Sequence, residues 1–296
     1  MLISVDSERN GGQLETSGDL SRNVSVVQRA DAKYPQEPPF DPAEKYPEFS
    51  SENELDSSNK VYDQVRESIA LLGFDADRFG EPDWNPLGDV VRPGDAVVIK
   101  PNLCKHVHHL GREGVLATVT HGSVLRPIID YCLIALNGSG SITVCDTPFE
   151  DTLWDVVMAE TGIAEMIRSV SESASVPVKL LDLREYKTEY AIGYTTTEES
   201  LAGDPAGYVH VDMGESSLFT PLDGQAQNYH TLADHTVDHY DPFSTDIGTP
   251  NQHHLPGKHE YRISKTILSA DVLISVPKLK THGKAGVTLN VKNMIG

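Results

Sequence analysis

Apolar residues recur along this chain with two spacings, and the alternation of the two predicts its elements. Val61, Val65, Ile69 and Leu72 in "NKVYDQVRESIALLGFD" lie three or four apart and predict the first helix. "DAVVIKPN" is a short β-branched run of the kind buried on both faces of a parallel sheet. "SVLRPIIDYCLIALNG" predicts a helix with Ser123 as its N-cap and Gly138 as its stop. "SITVCD" reads as a second strand, "DTLWDVVMAETGIAEMIRSV" as a helix broken near Gly162, and "VPVKLLDL" as a third strand. Strands and helices in alternation predict an α/β fold: a mostly parallel sheet with helices on both faces.

Two stretches depart from that pattern. Residues 1–58 are proline-dotted and rich in carboxylates, without apolar periodicity, and read as an irregular N-terminal arm. Tyr34, Phe40, Tyr46 and Phe49 offer that arm anchors on the domain. Residues 184–262 hold seven of the twelve histidines and read as a loop-rich insertion or lid with short antiparallel strands. The α/β core therefore comes in two parts, 59–183 and 263–296. The pattern resumes with "YRISKTILSADVLISVPKLKTH", read as a short helix followed by the strand "DVLISV".

Composition narrows the function classes. The chain has 24 Lys+Arg against 44 Asp+Glu, a formal net charge of −20. A general nucleic-acid binder needs a basic face, so that class is excluded. The acidity reads either as adaptation to high salt, where net charge maintains solubility, or as that of an ordinary acidic protein. There is no continuous apolar run of about 18 residues, so no membrane partner is expected. The N-terminus lacks the basic start and apolar stretch of a secretory signal. Cys104, Cys132 and Cys145 are too few and scattered for a disulfide framework. The expected location is a reducing cytoplasm.

Against this acidic background the closing stretch "PKLKTHGKAGVTLNVKNMIG" holds four lysines and no carboxylate. In an open α/β sheet, ligands bind beyond the carboxyl ends of the strands. The first strand is followed there by Lys100, Asn102 and Lys105, the second by Asp146 and Thr147, and "DVLISV" by Lys278, Lys280, Thr281 and His282. With Lys284, Lys292 and Asn293 they predict a cradle for a small molecule bearing phosphate or carboxylate. Asp146 is the expected general base or metal ligand, and His282 the proton carrier. The alternative is a solvated surface whose lysines balance nearby acids.

Histidines and cysteines add further expectations. In "KHVHH", His106 and His108 share a face if extended, and with His282 they form a candidate site for iron, nickel or zinc. The alternative is a loop of solvated histidines. "HTLADHTVDHY" sets His235 and His239 on one helix face, after His230, and "HHLPGKHE" adds His253, His254 and His259. Neither is the H-E-x-x-H of a zinc protease. Cys104 and Cys145 read as thiols at the site edge, or, for Cys145, as a small buried hydrophobe. Cys132 reads as core.

"VVIKPNL", "ITVCDTPF" and "ADVLISVPKLKTHGKAGVTLNVKNMIG" together resemble the domain of unknown function 362 (DUF362) family, over about residues 95–296 with a divergent middle. That resemblance implies a core domain without a settled reaction, often joined to ferredoxin-like modules, and hence an iron–sulfur protein as partner. The chain departs from the family in lacking a C-x-x-C-x-x-C run, so it carries no ferredoxin-type ligand motif. It also ends where relatives continue, which implies either a fragment or a split product whose missing C-terminal half completes the sheet. A weaker, fold-level similarity is to nickel-dependent lactate racemase. An anion-binding enzyme is thus the leading expectation. An iron–sulfur-linked electron-transfer component and a non-catalytic binding subunit are the alternatives.

Overall fold

Most of the apolar runs take the form their spacing predicts, with differences at their ends and one strand where a helix was expected. The computed structural model describes residues 2–5, 23–49, 54–191, 194–222, 253–283 and 286–294. It divides into two units, Met1–Leu183 with Ser269–Gly296, and Arg184–Leu268. The first begins with β1 (Leu2–Val5) and, after the arm, α1 (Lys60–Leu71), whose N-cap Asn59 accepts from Tyr62 N–H. There follow β2 (Ala96–Pro101), α2 (Gly111–Thr118), α3 (Gly122–Leu136), β3 (Ser141–Asp146), α4 (Trp154–Thr161), α5 (Ile163–Ser173) and β4 (Val178–Asp182). Gly162, at φ 66°, separates α4 from α5 in the left-handed region that stops a helix. The N-cap of α3 is His121 rather than Ser123: the imidazole accepts from Ser123 N–H, so the helix starts two residues early. "GREGVLAT", with Gly111 and Gly114 in its first turn, forms α2, which its weak propensity does not announce.

The second unit is antiparallel. β5 (Tyr186–Ala191) pairs with β6 (Tyr194–Ser200), and β7 (Tyr208–Asp212), β8 (His254–Leu255) and β9 (Lys258–Ser264) form a sheet in the order β7-β9-β8. "YRIS" is the end of β9, not a helix; only Lys265–Leu268 turns, as α6. Tyr261 and Ile263 alternate along the strand and pair with Val211 and Val209, which a helical spacing would not allow. Asp204 fixes the corner, accepting from Ser264 Oγ (2.5 Å), Thr266 N (2.9 Å) and Thr266 Oγ1 (2.6 Å).

The chain then returns to the first unit as β10 (Val272–Val276), followed by β11 (Lys280–His282), β12 (Gly286–Thr288) and the single turn α7 (Asn290–Asn293). The main sheet has the order β1-β10-β2-β3-β4; β10, β2, β3 and β4 are parallel and β1 is an antiparallel edge. Strands laid down in one direction with right-handed crossovers put their helices on one face. There α1, α3 and α5 bury Val97, Ile99, Ile142, Val144, Val272 and Ile274. On the other face α7 sits against β10, its Asn293 bonded to Ser275. One stretch, Gly111–Leu136, is apolar and long enough by composition to cross a membrane, yet it is α2 and α3, and 83% of its apolar window is buried within the protein.

The arm is anchored in the core through the segment from Pro39 to Glu48. Phe40 is 1% exposed and belongs to the same apolar cluster as α3 and the sheet. Arg126 of α3 holds the arm through Asp41 (3.0 Å) and Pro39 O (2.7 Å), and Glu48 pairs with Arg66 of α1 (2.7 Å).

The strand order places a crevice. From β2 the chain builds β3 and β4 to one side, and only after the second unit does it add β10 on the other. The loop after β2 leads to α3 on one face; the segment after β10 leads to α7 on the opposite face. That is a topological switch point, where neighbouring loops diverge and leave room beyond the strand ends.

Candidate functional site at the β2–β10 edge

Backbone and hydroxyl bonds first lock the two strand ends together. Asn102 N–H donates to Thr120 Oγ1 (3.0 Å), Thr120 N–H donates to Asn102 O (2.8 Å), and Thr120 Oγ1 donates to Val276 O (2.8 Å). Asn102 Nδ2 donates to Thr118 O (2.7 Å). Lys280 reaches this frame from β11. Its Nζ lies 2.9 Å from Cys104 Sγ, 2.9 Å from Thr118 O and 3.4 Å from Asn102 Oδ1. Thr118 O is among the last carbonyls of α2, so the ammonium also meets the negative end of that helix. The structure thus brings Asn102, Cys104 and Lys280 together at the switch point.

Lys278 approaches along the same edge. Its Nζ is 2.5 Å from the Tyr34 hydroxyl and 4.9 Å from the ring centroid. The Tyr34 ring stacks on His121 at 4.4 Å. Burial, then the positive charges of Arg112 and Lys278, lower the His121 pKa to about 4. His121 is therefore neutral near pH 7, as its acceptor role at the cap of α3 requires. An unfolded histidine titrates near 6.5. The stability this contributes is fully present above that pH and is lost as pH falls toward about 4. His121→Asn keeps a good N-cap but removes the titration, so its stability should fall less between those pH values than the wild type's. Parallel curves, measured by urea unfolding, would refute this role.

Other residues expected at the site have different neighbours. Lys100 and Asp146 are each 3% exposed and form an ion pair, and Asp146 Oδ2 also accepts from Leu103 N–H (2.7 Å). With both oxygens engaged inside the protein, Asp146 braces the loop after β2 instead of facing an open site, and Lys100 is its counter-charge. Asn293 is buried too, donating to Lys100 O (2.9 Å) and Ser275 Oγ (3.0 Å), and so satisfies strand-end groups in place of a ligand. Lys105 pairs with Asp151. On β11, Lys280 and His282 are half-buried and Thr281 between them is exposed, as strand alternation requires. Lys292 is half-buried on α7. Lys284 lies outside the described residues.

The histidines expected to hold a metal are not gathered. His106 Nδ1 accepts from Leu153 N–H (3.1 Å) and His108 Nδ1 from Leu110 N–H (3.1 Å), so one lone pair of each ring is used locally. Burial, then the charge of Lys105, lowers the pKa of His106. Among the described residues, His106, His108 and His282 do not form a group with ligand atoms within 4.8 Å of one another; His210, His253 and Glu260 do. His230, His235 and His239 lie outside the described residues. The cysteines do not suit an iron–sulfur cluster: Cys132 in α3 and Cys145 in β3 are fully buried, and no cysteine group of that kind forms among the described residues.

Sequence reasoning missed the groove beside this edge. About 890 Å³ in volume, it is lined by the arm, α1, α3 and the segment after β10, with Val65, Ile128, Val276 and Pro277 among its walls. Asn290 lines it as well, and its Oδ1 is buried with no hydrogen-bond partner among the described residues. No local pattern marks such a groove, because residues from four distant segments form it.

The family model described as "Domain of unknown function (DUF362)" matches residues 224–296. This bears out the resemblance drawn from the closing block. No curated protein and no solved structure matches the chain.

Proposed function

We propose that this DUF362-like chain binds an anionic small molecule, bearing phosphate or carboxylate, in the crevice beyond β2 and β10. One observation carries this reading. Lys278 and Lys280 meet only neutral partners, and neither has a carboxylate partner among the described residues. Lys100 and Lys105, by contrast, are each ion-paired. In a chain of net charge −20, two uncompensated ammonium groups at a switch point form a local anion site. The adjoining groove suits the apolar remainder of the ligand, and its volume is typical of small-molecule sites. His282, on the same face of β11 as Lys280, is the candidate proton carrier. The three free cysteines are consistent with a reducing compartment such as the cytoplasm.

The test is calorimetric titration with inorganic phosphate and with a panel of small carboxylates, at low and high salt. Lys280→Gln should weaken binding by about 10-fold to 100-fold, the effect of removing one positive charge from a partly buried site. Binding should also weaken as salt rises. Affinity unchanged in Lys280→Gln would remove this site. Binding without turnover of any ligand in the panel would favour a binding subunit over an enzyme.

A further inference from the structure

A second ligand set lies on the three-stranded sheet of the second unit. His210 on β7, His253 just before β8 and Glu260 on β9 each offer one ligand atom, and these atoms lie within 4.8 Å of one another. The three residues come from separate points of the chain. Pairing of β7 with β9 sets Arg262 opposite His210 and Glu260 opposite Asp212, so His210 and Glu260 are diagonal neighbours on one face. The His210 and His253 rings stack with centroids 5.4 Å apart and planes at 23°. His253 Nδ1 lies 2.7 Å from Glu260 Oε2. Lys258 Nζ is 2.9 Å from that same oxygen and orients the carboxylate. Glu260 Oε1 takes no hydrogen bond among the described residues.

Two imidazoles and a carboxylate are a donor set for zinc and its neighbours, and three protein ligands leave a fourth position open. We propose that His210, His253 and Glu260 bind one divalent transition ion of the zinc class. The proton shared between His253 and Glu260 stands where the ion's bonds must form. It leaves to solvent, or to His253 Nε2, as the ion enters. The ligand atoms then settle about 3.3 Å apart, the separation set by tetrahedral bonds of about 2 Å. Arg262 does not compete, since Glu185 pairs with it at 2.6 Å. This site is independent of the anion crevice.

The experiment is calorimetric titration of the full chain with zinc chloride, with metal content by mass spectrometry and the visible spectrum of the cobalt(II) form. The wild type should bind one ion per chain at this site. His253→Ala and Glu260→Gln should each weaken binding at least about 10-fold and lose the cobalt absorbance. His106→Ala/His108→Ala should bind as wild type. Circular dichroism checks folding, and Glu260→Gln, nearly isosteric, serves if His253→Ala does not fold. Three results would overturn the proposal: no binding by the wild type, undiminished binding by the His253 and Glu260 variants, or loss of binding only in the His106/His108 variant.

Discussion

Asp146→Ala is expected to destabilise the chain by about 3–5 kcal/mol, the cost of breaking a buried ion pair from one side. Lys100 and Asp146 are both 3% exposed, so the substitution leaves an ammonium group in a low-dielectric interior without its counter-charge. It also leaves the Leu103 N–H without its acceptor. The double variant Lys100→Met/Asp146→Leu should recover most of the loss, because buried pairs exchanged for apolar residues are often near neutral. Urea unfolding followed by circular dichroism measures both, as a shift in midpoint at constant slope. A single variant within about 1 kcal/mol of wild type, the range of exposed pairs, would mean that the pair is solvated. The pair also has a functional consequence. It anchors the loop that carries Asn102 and Cys104, so its loss should loosen the surroundings of Lys280 as well.

Phe40→Ala should cost about 3–5 kcal/mol, the range for truncating a buried aromatic. Its ring lies 5.0 Å from His121 and is 1% exposed. Two glycines make its room: a Cβ on Gly122 would stand 2.6 Å from the ring, and one on Gly162 2.4 Å. Gly162 is doubly constrained, since its φ of 66° also disfavours any side chain. Losing the ring should free the arm, withdrawing Tyr34 from His121 and Lys278, and limited proteolysis should then cut within residues 23–49. Val24→Ala, at a position 86% exposed, is the control and should change stability by less than about 0.5 kcal/mol. Equal protease resistance in Phe40→Ala and wild type would show that the arm is held without its ring.

Local patterns determined the elements of this protein. β-branched runs became β2, β3, β4 and β10, helical spacing became α1 and α3, and Gly162 broke the helix where its freedom of φ allows. These follow from interactions among residues a few positions apart, which a short window contains. The sheet edge as the place for charge was legible for the same reason, because strand ends can be located from the strands. Which lysine does what was not legible. Lys100, Lys278 and Lys280 read alike, yet one is buried against Asp146, one lies over Tyr34 and one meets Cys104. Asn293 read as a ligand group and became a clamp on Lys100 O. Residues 1–58 read as a loose arm, and Phe40 entered the core. The His210–His253–Glu260 cluster has no motif spacing at all. In each case at least one partner lies tens to hundreds of residues away, and only the tertiary structure chooses it. A charge or amide has no fate until burial decides whether water or another side chain will satisfy it.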